Sequence, residues 1–64
     1  MSKLKELRTA QGLSQSKLAA ASGVNVRMIQ HYEQGVKDIN KMSAITLYQL
    51  AQTLDCKMED LLEL

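Results

Sequence analysis

The sequence predicts an all-α fold, a compact bundle of five short helices at roughly 3–11, 15–22, 26–34, 43–54 and 58–63. Three observations carry that expectation. Gly12, Gly23 and Gly35 each follow a helical stretch, where left-handed C-terminal caps belong. Ser2, Ser14, Asn25 and Ser43 each precede one and can accept from its orphan N–H groups. The chain has no proline and no alternating apolar pattern, so strands are not expected. Sixty-four residues bound the fold to one domain, 1–64. A domain of that size buries only about 60% of its unfolded surface, which leaves no room for a large substrate cleft.

Each element presents one apolar face. Leu4 and Leu7 point inward from the first helix, Leu18 and Ala19 from the second. Leu13 and Val24 plug the turns. Leu47, Leu50, Ala51 and Leu54 follow the i, i+3, i+4, i+7 pattern in the fourth helix. Met58, Leu61 and Leu62 do the same in the fifth. The longest connection, 36–42, is anchored by Ile39. The methionines read as gap-fillers, with Met1 the initiator.

The most informative stretch is 15–33. Two short helices meet there at a tight turn. Ala19 is small at the expected crossing, Gly23 supplies positive φ, and Leu18, Ile29 and Tyr32 turn toward a shared core. That is the helix-turn-helix layout, whose second helix enters the DNA major groove. Setting Val26 at zero and advancing about 100° per residue puts Val26, Gln30, Gln34, Arg27 and His31 on one arc, from about 0° to about 140°. Met28, Tyr32 and Ile29 occupy the opposite side. The polar arc carries a guanidinium, an imidazole and two amides. Arginine donates two hydrogen bonds to guanine O6 and N7, glutamine pairs with adenine N6 and N7, and valine packs on a thymine methyl. His31 can donate to guanine or to phosphate.

Charge is divided along the chain. Residues 1–37 hold Lys3, Lys5, Arg8, Lys17, Arg27 and Lys37 against Glu6 and Glu33, a net +4. Residues 38–64 hold Lys41 and Lys57 against Asp38, Asp55, Glu59, Asp60 and Glu63, a net −3. A polyanion partner on one side only suits that division.

The chain resembles the Cro/Xre-type helix-turn-helix family of phage and bacterial repressors, over nearly its whole length. Leu4-Lys5-Glu6-Leu7-Arg8 resembles the family's first helix, and Gly12-Leu13-Ser14-Gln15 the entry to its second. Leu18-Ala19 resembles its buried pair, and Ile29-Gln30-His31-Tyr32-Glu33-Gln34-Gly35 the end of its recognition helix. Leu50-Ala51-Gln52-Thr53-Leu54 and Asp60-Leu61-Leu62 resemble its closing helices. The resemblance implies a lambda-repressor-like fold with the helix-turn-helix at helices 2 and 3. It implies base reading by Val26, Arg27 and His31, with Gln30 at the edge, and backbone contacts by Gln15, Asn25, Gln34 and Lys37; Lys17, in the basic half, is expected to join the backbone contacts. The resemblance also implies a structural ion pair between Arg8 and Glu33. Four positions depart from the pattern: Asp55 where relatives often have glycine, Lys57 where an N-cap is usual, a longer connection after Gly35, and apolar Val26 where glutamine is frequent.

Other functions find little support. Cys56 excludes an internal disulfide, and with the lone His31 it cannot build a structural zinc site. It reads as a small buried apolar residue in a reducing cytosol, with a redox switch as the alternative. No cofactor, metal site or small-molecule ligand is expected, and the serines have one histidine to serve as base, which lies on the polar arc, so no enzyme is expected. No signal peptide is expected, and the sequence has no run of the ~20 apolar residues a membrane span needs. The expectation is sequence-specific binding of double-stranded DNA by a small cytoplasmic repressor. It is expected to act as a homodimer through helices 4 and 5 on a palindromic operator. Leu64, Ile45, Tyr48 and whichever of Leu61 and Leu62 the core leaves over would form the dimer surface. An antitoxin with the same DNA-binding domain and a helical protein-interaction module are the alternatives.

Overall fold

The computed structural model describes residues 2–64; Met1, read above as the initiator, lies outside the described residues. Four α-helices run in the order α1 (Lys3–Ala10), α2 (Gln15–Ser22), α3 (Val26–Gln34) and α4 (Ala44–Leu54). Single 3₁₀ turns follow α3, at Ile39–Lys41, and α4, at Met58–Leu61. There are no strands among the described residues.

The helices start and stop where their caps dictate. Ser2 Oγ accepts from Lys5 N–H at 3.1 Å, Ser14 Oγ from Lys17 N–H at 3.1 Å, and Asn25 Oδ1 from Arg27 N–H at 2.7 Å. Ser43 Oγ accepts from Thr46 N–H at 3.4 Å. Each bond satisfies one of the donors that a helix start leaves unpaired. Gly23 and Gly35 end α2 and α3 at φ +77° and +78°. Nothing lies within 4 Å of a Cβ built on either, so backbone conformation, not space, calls for glycine there.

Asp55 ends α4 in the same left-handed region, at φ 53°. Asp tolerates that region better than most residues, yet still with a steric cost that glycine lacks. Asp55→Gly is therefore expected to stabilise the fold by about 0.5–1 kcal/mol, read as a shifted denaturation midpoint. A destabilised variant would mean that the Asp side chain itself holds the cap.

Leu4, Leu18, Ile29, Leu50, Leu54 and Leu61 are the largest fully buried side chains, one or more from each α-helix and one from the last turn. Helix α2 sits between α3 and α4, and the last turn closes against α1 and α4. Val24, Ile39 and Met42 add buried groups from the connections. Leu7, Leu13, Ala19 and Tyr32 are half-buried at the margin of this core.

The expected fifth helix, 58–63, is not an α-helix. It is a 3₁₀ turn ending at Leu61. The segment begins on Lys57, whose N–H finds Asp60 Oδ2 at 3.0 Å. It stops because Leu62 turns extended, at φ −74° and ψ 145°. The next N–H, of Glu63, then goes to Asn40 Oδ1 at 2.8 Å instead of continuing a helix. Leu61 is fully buried, which removes it from the expected dimer surface and leaves Leu62, half-buried, at the edge.

Candidate nucleic-acid interface

Helix α3 presents the polar arc outward. Arg27 and Gln34 are exposed, Val26, Gln30 and His31 are half-buried, and Ile29 on the opposite side is fully buried. The short turn from Gly23 to Asn25 aims the helix. Val24 is buried there, and Ser22 Oγ accepts from its N–H at 3.2 Å. The start of α3 is fixed by its Asn25 cap, and Asn25 itself is exposed.

The end of α3 is fixed more tightly. The His31 carbonyl accepts from Gly35 N–H, from Val36 N–H at 2.9 Å and from Lys37 N–H at 3.2 Å. Three donors on one carbonyl wrap the chain back over the helix end and leave Lys37 exposed just beyond it. Lys17 is exposed on α2.

Beneath this surface lies a charged junction between α1, α2 and α3. Arg8 Nε donates to Glu33 Oε2 at 2.7 Å and Arg8 Nη2 to Glu33 Oε1 at 3.0 Å. Gln15 Nε2 donates to the same Oε1 at 3.0 Å. Arg8 Nη1 reaches the Leu13 carbonyl at 2.7 Å, which ties the α1–α2 turn into the junction. The Arg8 and Glu33 side chains are 10% and 3% exposed. Burial pushes the Glu33 carboxyl up, but hydrogen bonds from Arg8 and Gln15 and the charges of Arg8 and Lys5 outweigh it. The carboxyl is held below its ordinary value. Arg8 is shifted upward, first by its hydrogen bond to Glu33, against the opposing effect of burial. Among the described residues no buried side-chain nitrogen or oxygen lacks a partner.

The structure thus gathers Val26, Arg27, Gln30, His31 and Gln34 on one helix, with Asn25 and Lys37 at its two ends. Gln15 belongs to both levels. Its amide braces Glu33, and its second N–H remains at the start of α2, where a helix favours an anion. Sequence reasoning did not single out Asn40, which holds the connection that carries Lys37. Its partner is 23 residues away, so no local spacing could have announced it.

Other chemistry is sparse. Among the described residues no group of three or more His, Cys, Asp or Glu side chains is placed to hold a metal ion. Cys56 is half-buried, and burial, then Asp60 and Asp55, push its thiol up, away from the reactive thiolate. Among the described residues no helix is long and apolar enough to cross a membrane.

An exposed helix braced across a glycine turn by its predecessor is the layout of a helix-turn-helix DNA-binding protein. The family model described as Helix-turn-helix matches residues 4–61. The chain belongs to this Cro/C1-type helix-turn-helix family, whose activity is DNA-binding transcription regulation. It is also similar to the restriction-modification controller protein C.AhdI from Aeromonas hydrophila. The two are 37% identical and superpose with a TM-score of 0.80, over 92% of this chain and 85% of that one. No curated protein matches it.

Proposed function

We propose that the protein is a sequence-specific transcriptional repressor that inserts α3 into the major groove and blocks polymerase sterically, within the cytoplasm. The observation that carries this reading is the outward arc of α3, held between two capped ends. Arg27, Gln30, His31 and Val26 read base edges, and Gln15, Lys17, Asn25, Gln34 and Lys37 contact the backbone. Control of a restriction–modification system is a second reading. It is favoured by the 37% identity to a protein bearing that description.

Size and surface support a palindromic operator and a homodimer. The Cα trace measures 24 × 22 × 20 Å, against the roughly 34 Å that separates successive major-groove half-sites. One copy serves one half-site. Ile45 and Tyr48 lie one turn apart on α4 and are 63% and 50% exposed, and Leu64 is 99% exposed. Unpartnered apolar groups of this kind, in the acidic half of the chain, suit an interface turned away from DNA.

Salt titration tests the reading. The logarithm of the binding constant is expected to fall by about 0.9 per neutralised phosphate for each unit of log salt. Lys37→Ala is expected to lower that slope by about one while sparing sequence preference. A flat titration of the wild-type protein would exclude DNA as the partner of this face.

A further inference from the structure

We propose that Asn40 is a positioning residue for the DNA-backbone contact at Lys37, acting through a clasp on the C-terminal tail. The proposal rests on the reading of Lys37 as a phosphate contact. Asn40 Nδ2 donates to the Glu63 carbonyl at 3.2 Å, and Glu63 N–H donates to Asn40 Oδ1 at 2.8 Å. The side-chain amide thus pairs with both backbone groups of one residue, as a neighbouring strand would. The Glu63 carboxylate in turn accepts from Lys3 N–H at 2.9 Å, at the start of α1, where negative charge suits the helix. One residue therefore fastens the tail to the connection and to the first helix.

The mechanical argument concerns the segment 36–42. At its beginning the His31 carbonyl holds Val36 and Lys37. At its end Met42 is buried and in its middle Ile39, and such apolar anchors fix depth without fixing direction. Asn40 adds a directional anchor at the next residue, and Asp38 Oδ1 locks the two together by accepting from Asn40 N–H at 2.9 Å. Lys37 is three residues away, exposed and with no ion-pair partner among the described residues. With the clasp open, ordering this segment would cost about as much as one exposed phosphate contact returns, so the Lys37 contact is made only with the clasp closed.

The test compares salt titrations of the wild-type protein with Asn40→Ala, Lys37→Ala and the double variant, on a selected site and on random DNA. Far-UV circular dichroism at the assay temperature verifies folding. Asn40→Ala is expected to weaken binding several-fold on both DNAs and to lower the salt slope toward that of Lys37→Ala, by about 0.9. The double variant is expected to match Lys37→Ala. A second pair of variants covers the case in which Asn40→Ala fails to fold. Glu63→Pro removes the N–H that Asn40 accepts, and Leu62 before it is already in the extended region that proline demands of its predecessor. It is expected to reproduce the slope loss. Glu63→Ala keeps both backbone groups and is expected to retain the wild-type slope. A folded Asn40→Ala with the wild-type slope, or losses from Asn40→Ala and Lys37→Ala that add in full, would overturn the proposal. So would a Glu63→Ala variant that loses as much slope as Glu63→Pro. A flat wild-type titration removes the reading of Lys37 and this proposal together; a steep one with Asn40→Ala unmoved removes this proposal alone.

Discussion

Glu33→Ala is expected to destabilise the fold by about 3–5 kcal/mol, the cost of removing one partner of a buried pair. The substitution leaves the Arg8 guanidinium, 10% exposed, without its carboxylate, and it strips Gln15 of its acceptor. A domain of 64 residues has a total stability on the order of 3–10 kcal/mol, so the variant should be largely unfolded or close to it. Chemical denaturation measures the loss, and a cost within about 0.5 kcal/mol would show the junction to be idle. The pH dependence carries a definite sign. The folded carboxyl lies below its ordinary value, so its contribution is full above the unfolded-state pKa of about 4.3. It is lost as the pH falls through the folded value. The gap in stability between wild type and Glu33→Ala should therefore narrow only in acid, below about pH 4. A gap that narrowed between pH 6 and 8 would point to a different titrating group.

Arg27→Ala is expected to cost about 1–3 kcal/mol in affinity for the preferred site and to relax base choice at one position. Arg27 is exposed on the outward arc of α3 and its backbone N–H is held by the Asn25 cap. The side chain thus leaves from a fixed point and can direct both guanidinium donors at one guanine. Selection from a random DNA pool, run with both proteins, reads the change. Equal losses on selected and random DNA would reduce Arg27 to a phosphate contact. Folding should be nearly unaffected, since no hydrogen bond of the Arg27 side chain stands among those of the described residues.

What was legible in the sequence was local. Ser2, Ser14, Asn25 and Ser43 announced helix starts because a cap and its target lie within three residues. Gly23 and Gly35 announced helix ends because left-handed backbone excludes most other residues, whereas Asp55, in the same region, was legible only as a departure from the family's glycine. The two sides of α3 were readable from periodicity alone. The Arg8–Glu33 pair spans 25 residues and has no periodic signature, so it could be expected only by resemblance. The misjudged element was the last one. Met58, Leu61 and Leu62 have helical spacing, but Asn40 competes for the Glu63 N–H and wins, and the turn stays short. A partner 23 residues away decided that outcome. The same distance hid Asn40 itself.

The bond from Lys3 N–H to the Glu63 carboxylate spans 60 positions of sequence and 2.9 Å of space. The start of α1 and the segment after the last turn therefore lie side by side. The order in which the helices are connected is separable from the arrangement they make. A short Gly/Ser bridge from Leu64 to Ser2, with the chain cut open at the exposed Gly12, would give a circular permutant that begins with α2 and ends with α1. Helix α3 would then come second rather than third along the chain, over an unchanged core.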